Sequence, residues 1–337
     1  MTPTPTSIPD ASIPDASARD ASARDASAPD ASALDVPAPP KFAWLDGELV
    51  DWSDATVHVT TLALHYGIGF FEGIRCHDTP DGPAFFRLGD HLRRLARSAA
   101  VYGVALPHTA GELAEACRQV VLRNGLTDCY LRPLVFLGAG PNPLQAPLRC
   151  SVTASAAGPL VGPPKEGGVR AQISAFQRYG ANTLPPAAKA SGQYLNAFLA
   201  QRAAVQAGYG EAILLNEAGF VADGWAHNVF VVADGELVTP PVWSGGLPGI
   251  TRDTVLTLAA ERGIPVAERP LARSDLYLAD ECFLTGTAAG VVAVSSVDDR
   301  VLTGGAPGPV TRTVADLVTA VAAGATEAHP QWREYLH

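Results

Sequence analysis

The residue that most strongly suggests chemistry is Lys189, which lies among small and apolar neighbours in the segment TLPPAAKASGQYLNAFLAQRAA. The prolines at 185 and 186 disfavour a helix before it, whereas residues 194–204 are rich in helix formers. We therefore predict a partly buried lysine just before a helix. Burial disfavours a charged amine, and the neutral amine can form a Schiff base with a carbonyl cofactor. A strand-end lysine whose amine reaches water is the alternative, and this segment alone leaves both interpretations open.

The composition sets broad limits on the class of protein. The chain has 337 residues, of which 47% are hydrophobic, so it is long enough for two domains with sizeable cores. No apolar run reaches membrane-spanning length without a charge or a helix breaker, so we expect a soluble protein, by default in the cytoplasm. The net charge of −10 makes nucleic acid an unexpected partner.

The first 40 residues differ in composition from the rest of the chain. A five-residue repeat of the type D-A-S-x-x runs from Asp10 to Asp35 and is followed by VPAPP. Such a segment has little to bury, so we predict a disordered tail at residues 1–40. It lacks the apolar stretch of a secretory signal, and its aspartates argue against a transit peptide.

The cysteines and histidines give no pattern typical of a metal site. Five cysteines are widely spaced and odd in number, without a C-x-x-C pair, so we expect reduced, mostly buried thiols. The histidines show no ligand spacing on a helix, and no metal is expected.

The pattern of apolar residues and turns predicts a two-domain α+β protein, with a small α/β domain at 41–157 and a larger domain with antiparallel strands at 168–337. A Gly- and Pro-rich linker at 158–167 separates them. Within the first domain we predict a hairpin in AWLDGELVDW, helices over 88–103 and 111–124, and a buried strand in CYLRPLVFLG. Within the second, residues 211–241 predict an antiparallel meander, and helices are predicted over 251–262 and 308–323.

Six separated motifs resemble, in their order and wording, those of the class IV aminotransferases, the pyridoxal phosphate enzymes of fold type IV that include D-amino acid aminotransferase. The likeness covers about residues 43–324 and is greatest to branched-chain amino acid aminotransferases. The motifs are ALHYGIGFFEGIRC at 63–76, HLRRLARSA at 91–99, YLRPLVF at 130–136, NTLPPAAKASGQYL at 182–195, LPGITRD at 247–253 and FLTGTAAG at 283–290.

The resemblance implies that pyridoxal 5′-phosphate is the cofactor and that Lys189 forms its Schiff base and moves the substrate's Cα proton. Arg94 matches the family's phosphate-binding arginine, while its neighbour Arg93 points about 100° away on a helix. In LPGITRD, the backbone N–H groups at a helix N-terminus suit the phosphate. The other cofactor-binding positions that the resemblance implies are Tyr194, Asp223, Leu247, Ile250, Thr251 and Thr287.

The resemblance also implies a substrate pocket that must accept apolar and anionic side chains in turn. Arg132 would pair with the distal carboxylate of glutamate or 2-oxoglutarate. The Thr287 and Ala288 backbone N–H groups would face the carboxylate next to the reacting carbon. In the family, the Tyr66 segment reaches the site of a neighbouring subunit, which implies at least a homodimer. The remaining substrate-binding positions are Phe71, Arg75 and Tyr130.

The chain departs from the family pattern on the substrate side. Asp223 stands where the family has a glutamate that holds the pyridine nitrogen, so the charge is kept on a shorter side chain. Trp225 and His227 replace a small and an acidic residue, which puts both at the substrate pocket and places the substrate range in question. The family's interdomain tyrosine has no counterpart around Pro159, and the loop GAGPNPLQAP is short.

The function implied is transfer of an amino group between an L-amino acid, by default leucine, isoleucine or valine, and 2-oxoglutarate. Within the fold, the alternatives are a specialised biosynthetic transaminase with another 2-oxo acid or amine substrate, and an aminodeoxychorismate-type lyase. Arg132 and the FEGIR motif favour transamination over the lyase. A scaffold without cofactor or activity is a third alternative, against which the joint presence of Lys189, Arg94, Tyr194 and Thr287 argues.

Overall fold

The computed structural model describes residues 39–156 and 167–336. The predicted tail at 1–40 lies outside these ranges except for its last two residues, and so does the predicted linker at 158–167 except for its last residue. Within the described ranges no helix is long and apolar enough to cross a membrane. All five cysteines are described, and each is buried and unpaired.

Most of the N-terminal half forms an antiparallel sheet with helices packed on it. Its strands, in chain order, are β1 (Phe42–Leu45), β2 (Glu48–Asp51), β3 (Gly69–Phe71), β4 (Ile74–His77), β5 (Ala84–Phe86), β6 (Cys129–Leu137) and β7 (Leu148–Ala156). The helices are α1 (Leu62–Tyr66), α2 (Leu88–Val101) and α3 (Ala110–Asn124). The predicted hairpin is β1–β2, and both predicted helices and the predicted strand are confirmed to within three residues.

The local reasons for these elements are visible in the contacts. Helix α3 begins at a capping box, in which the Thr109 hydroxyl accepts from Glu112 N and the Glu112 carboxylate accepts from Thr109 N. Alternate residues of β6 point into a core that α2 and α3 cover, with Leu92, Leu95 and Leu113 fully or almost fully buried.

The C-terminal half forms a larger mixed sheet. Its strands are β8 (Val169–Ile173), β9 (Glu211–Leu215), β10 (Val221–Gly224), β11 (Asn228–Ala233), β12 (Glu236–Thr239), β13 (Val266–Glu268), β14 (Glu281–Gly286), β15 (Gly290–Val297) and β16 (Arg300–Val301). The helices are α4 (Tyr194–Gln206), α5 (Ile250–Glu261), α6 (Arg273–Leu278) and α7 (Pro309–Ala322). The strand order is β10-β9-β8-β15-β14-β11-β12-β13, with β16 paired to β15.

Both faces of this second sheet are covered, which explains its nearly continuous apolar strands. In β11, Val229 and Val231 belong to one core, whereas Phe230 and Val232 belong to another that includes α5 and α7. The predictions for helices α4, α5 and α7 are confirmed.

The predicted meander over 211–241 is wrong. The β9–β10 and β11–β12 pairs exist, but β8, β15 and β14 lie between them in the sheet. The chain reverses direction after β10 in a turn where Gly224 N donates to His227 O. Strand β11 then pairs with β14 and β12, away from β10. Turn residues predict that two strands pair but not where the pair lies in a sheet.

A final short strand, β17 (Arg333–Tyr335), pairs antiparallel with β5 of the first sheet. The end of the chain thus returns to the N-terminal sheet after the second sheet is complete. The predicted domain limits at 41–157 and 168–337 stay predictions.

Candidate active site

Lys189 is held by its backbone at the junction of the two sheets. Its N–H donates to Ser98 Oγ at 2.9 Å, and its carbonyl accepts from Phe71 N at 3.2 Å. The side chain is half-buried, and Nζ donates to the Tyr194 hydroxyl at 2.8 Å. Tyr194 is the first residue of α4, so the start of this helix fixes the partner of the amine.

A cleft between the two sheets collects most of the predicted site residues. It is lined by Phe71, Arg94, Tyr130, Arg132, Lys189, Tyr194, Trp225, His227, Thr287 and Ala288. A smaller adjoining cavity is lined by Lys189, Tyr194, Asp223, Trp225 and Leu247, and a third by Ile250, Thr251, Thr287 and Ala288.

Arg94 is buried on α2 and is held by a carboxylate that the sequence analysis missed. Its Nε and Nη2 donate to Glu72 at 2.7 and 2.8 Å, and Nη1 donates to Pro248 O at 2.9 Å. Burial opposes the ionisation of Glu72, but Arg94 and His91 together hold the pKa of this carboxyl well below its usual range. An acidic residue inside the apolar run FFEGI was the signal for such a buried pair. Arg93, by contrast, points outward and pairs with Asp90.

Free N–H groups converge on the end of the cleft near Arg94. Each η nitrogen of an arginine carries two hydrogens, so Arg94 keeps one N–H on Nη1 and one on Nη2. Helix α5 begins at Ile250 after the N-cap Gly249, without a side-chain cap. The first N–H groups of a helix have no partner within it, which makes this end suitable for an anion such as a phosphate.

Asp223 is buried at the opposite end, beside an arginine that the sequence analysis also missed. Arg178 Nη2 donates to Asp223 Oδ2 at 2.6 Å, whereas Oδ1 is buried and has no hydrogen-bond partner among the residues that the structure describes. Burial raises the pKa of Asp223 to about 6, against the opposing effect of Arg178. A buried carboxylate oxygen without a donor indicates that a donor from outside the protein completes this site.

Arg132 presents a guanidinium to the cleft with no carboxylate partner among the described residues. It stacks 4.7 Å from the Phe71 ring centre, and its Nη2 lies 3.4 Å from the Tyr130 hydroxyl. That hydroxyl occupies the place of a side chain at position 73, where a Cβ on Gly73 would lie 1.6 Å from it. Glycine at 73 therefore lets Tyr130 enter the cleft.

Two predicted substrate residues are not brought to the cleft of this chain. Arg75 Nη2 donates to Asp128 at 2.7 Å, and Arg75 lines the third cavity instead. Tyr66 ends α1 with 60% of its surface exposed and lines none of these cavities. Their assignment as substrate-binding residues stays a prediction.

Comparison with known proteins shows the family. The model of the class IV amino-transferases matches residues 69–297. The branched-chain-amino-acid aminotransferases of Pseudomonas aeruginosa and Escherichia coli K12 are each 42% identical, over 86% and 88% of this chain and 95% and 97% of theirs. Among solved structures, the E. coli enzyme has a TM-score of 0.84 and covers 88% of this chain and 100% of its own. The Thermobaculum terrenum enzyme in its pyridoxal phosphate form has a TM-score of 0.83 at 34% identity, over 89% of this chain and 99% of its own.

The chain belongs to the class IV aminotransferases, the pyridoxal phosphate enzymes of fold type IV. It is a transaminase similar to the branched-chain-amino-acid aminotransferases, and the predicted family, fold class and cofactor are confirmed. The cleft fits this cofactor, because Asp223 Oδ1 lacks a partner at one end and the N–H groups of Arg94 and α5 are free at the other.

Proposed function

We propose that this protein transfers the amino group between a branched-chain L-amino acid and 2-oxoglutarate in two alternating half-reactions. The observation that carries the proposal is the guanidinium of Arg132, which has no carboxylate partner in the described chain and lies beside the aromatic ring of Phe71. An apolar wall beside a cation without a carboxylate partner suits an aliphatic side chain in one half-reaction and a carboxylate in the other.

Residues at both ends of the cleft hold the cofactor in this proposal. Arg94, the Ile250 and Thr251 N–H groups and Thr287 bind its phosphate, and Leu247 lines the ring site. Asp223 Oδ1 accepts from the protonated ring nitrogen, and Arg178 keeps Oδ2 occupied, so that only one oxygen faces the ring. When bound, pyridoxal phosphate draws electrons from the substrate carbon that carries the amino group.

Lys189 Nζ is both the attachment point for the cofactor and the group that moves the proton at the substrate's α-carbon. One amine can serve both purposes, because the substrate's amino group would take the place of Nζ on the cofactor. The released Nζ would then lie next to the α-carbon proton. The Tyr194 hydroxyl, 2.8 Å from Nζ, orients the amine and would also form a hydrogen bond with the hydroxyl group on the cofactor's pyridine ring. The Phe71 ring, 5.1 Å from Nζ, shields one side of the amine.

Two separated groups of donors bind the carboxylates of the substrate. The Thr287 and Ala288 N–H groups hold the carboxylate next to the reacting carbon, which every substrate carries. Arg132, with the Tyr130 hydroxyl beside it, holds a second carboxylate when the substrate is glutamate or 2-oxoglutarate.

A second candidate, a specialised transaminase with another 2-oxo acid or amine substrate, is favoured by Trp225. Its indole ring lines both the cleft and the Asp223 cavity, and its Nε1 is buried with no hydrogen-bond partner in the described part of the chain. A bulky ring with a free N–H there narrows the cleft and suits a substrate with an acceptor in its side chain.

We also propose that the active form is a homodimer. Leu64 and Tyr66 on α1 and Leu195 and Phe198 on α4 are more than half exposed. Gly67, just after α1, packs against Gly192, just before α4. The exposed residues of α1 therefore lie near those of α4. A contiguous apolar surface of this kind indicates a protein interface, and Tyr66 lies within it.

The experiment follows the visible absorption of the cofactor-loaded protein through each half-reaction separately. Adding L-leucine without an acceptor should remove the band of the lysine-bound cofactor, and adding 2-oxoglutarate should restore it. Loss of the band with glutamate but not with leucine, isoleucine or valine would exclude branched-chain substrates and leave the second candidate. No response to any amino acid would refute transamination.

A further inference from the structure

Glu211, the first residue of β9, is a buried carboxylate behind the wall of the cleft. Its side chain is 3% exposed, and no lysine or arginine pairs with it among the described residues. Its Oε1 accepts from Trp225 N at 3.1 Å and lies 3.3 Å from His227 Nδ1. Because a buried charge requires a counter-charge or several donors, His227 is the group available to balance Glu211.

The contact with Glu211 fixes which nitrogen of His227 faces the cleft. A carboxylate accepts, so Nδ1 carries a hydrogen and Nε2 is left for another partner. The opposite edge of the ring packs on Gly286, where a Cβ would lie 3.0 Å from Cδ2 and 3.7 Å from Nε2. His227 lines the same cleft as Lys189 and Arg132.

This position puts Nε2 beside the turn between β14 and β15. Gly286 immediately precedes Thr287 and Ala288, whose N–H groups bind the substrate's first carboxylate in the proposed function. A protonated imidazole at this place would lie between two carboxylates, one from Glu211 and one from the substrate. Each would accept one of its two N–H groups.

We propose that His227 is a further substrate-binding residue that donates from Nε2 to the carboxylate next to the reacting carbon, and that Glu211 is the positioning residue that holds its ring. The proposal rests on the proposed function, since it concerns the carboxylate that all its substrates share. The ligand class is any amino acid, 2-oxo acid or unreactive carboxylic acid that enters the cleft. Arg132 has a different role from His227, because it binds only the second carboxylate of substrates such as glutamate.

The test uses the cofactor-loaded enzyme and a carboxylic acid that cannot react. 4-Methylpentanoate has a leucine-like chain and one carboxylate, and 4-methylpentanamide has the same shape without the charge. Their dissociation constants are read from the shift in the visible band of the bound cofactor. His227→Phe keeps the ring volume and should weaken binding of the acid about tenfold or more, because a charge-assisted hydrogen bond is lost, with little change for the amide.

Glu211→Gln keeps an oxygen that can accept from Nδ1 but replaces a charge-assisted hydrogen bond with a neutral one, so it should hold the ring less firmly and weaken binding of the acid by a smaller factor. If the single His227 variant does not fold with Glu211 left unbalanced, the double variant Glu211→Gln/His227→Phe replaces it. His108→Phe is the matched control, because His108 packs on Trp44 and lines none of the cavities.

Unchanged affinity for the acid in the His227 variants, or equal losses for acid and amide, would overturn the proposal. These outcomes are independent of turnover, since 4-methylpentanoate has no amino group to transfer. A wild-type protein that binds the acid but does not react with leucine would contradict the proposed function and leave the role of His227 standing.

Discussion

Asp223 is the proposed partner of the cofactor's ring nitrogen, and its charge depends on its buried environment. In the cofactor-free protein, burial raises its pKa to about 6, while Arg178 opposes that rise. The folded protein therefore favours the protonated carboxyl. The raised pKa of Asp223 therefore adds to the free energy of unfolding at low pH. This stabilisation is fully present below the ordinary pKa of 3.8 and is lost as the pH rises through 6.

The raised pKa predicts a pH dependence of cofactor binding with a definite sign. The ionised carboxylate accepts a stronger, charge-assisted hydrogen bond from the protonated ring nitrogen than the neutral carboxyl does, so affinity for pyridoxal phosphate should rise between about pH 5 and about pH 7. Asp223→Asn should lack this component of the rise. Equilibrium dialysis measures the affinity of the cofactor-free wild type and variant for pyridoxal phosphate across this pH range. If the affinities of the two proteins change with pH in the same way, Asp223 does not face the ring.

Arg132 should discriminate between the two kinds of substrate. Arg132→Ala should lower kcat/KM for glutamate by about 10- to 100-fold and for leucine by only a few-fold, because a charge-assisted hydrogen bond is lost with glutamate alone. Arg123→Ala is the matched control, since Arg123 stacks on Phe42, away from the cleft. Equal losses for both substrates would mean that Arg132 supports the fold of the cleft.

At the residue scale, the sequence predicts the groups that face the cleft better than the groups behind them. Lys189, Arg94 and Asp223 stand out by motif, and the structure places Lys189 and Arg94 on the cleft and Asp223 on the adjoining cavity that Lys189 also lines. Their partners Glu72 and Arg178 come from distant parts of the chain and stand in no recognisable spacing with them. Long-range pairing depends on the sheet order, which hydrophobic periodicity does not specify.

At the scale of elements, the start of α5 decides whether the proposed phosphate end of the cleft is correctly placed. A Cβ at Gly249 would lie 1.9 Å from Asn228 Oδ1, and Asn228 is held in turn by its Nδ2 bond to Leu247 O at 2.9 Å. Gly249→Ala should therefore push the first turn of the helix away from the cleft.

The displaced helix should bind pyridoxal phosphate roughly 10- to 100-fold more weakly while the protein stays folded. Dissociation constants from cofactor titration and thermal unfolding of the cofactor-free protein measure the two effects. Gly111→Ala is the control, because among the described residues nothing lies within 4 Å of its Cβ, so alanine in the first turn of α3 should leave the fold and the cofactor affinity unchanged. Unchanged cofactor affinity in the Gly249 variant would remove α5 from the phosphate site.

The helices were predictable from sequence because their apolar period and end signals are local, as Thr109 and Glu112 show for α3. The second sheet was less predictable from sequence than the helices. The pattern predicts β9 and β11 as strands, but it does not predict that three other strands separate them in the sheet. Three residues are too few to show an alternating pattern, and the three residues of β17 pair with residues 247 to 251 positions earlier in the chain.

At the scale of the whole molecule, the exposed apolar surface on α1 and α4 predicts a dimer whose loss affects activity. Leu64 is 64% exposed, and Leu64→Asp would bury a charge in the proposed interface. The variant should elute as a monomer in size-exclusion chromatography with light scattering and should lose most activity, because Tyr66 is predicted to complete the neighbouring site. Leu278→Asp is the control, since Leu278 is 80% exposed at the end of α6, outside this surface. A monomeric wild type with full activity would contradict the proposal.

The central claim is that the cleft around Lys189 is where the cofactor is attached, and the chain makes a direct test possible because it contains only three lysines, at 41, 165 and 189. Borohydride reduction of the cofactor-loaded protein fixes the cofactor to its lysine, and peptide mass spectrometry then identifies the residue. We predict the adduct on Lys189 alone and its loss in Lys189→Ala, with Lys41→Ala unchanged. An adduct on Lys41 or Lys165, or one that persists in Lys189→Ala, would contradict the account.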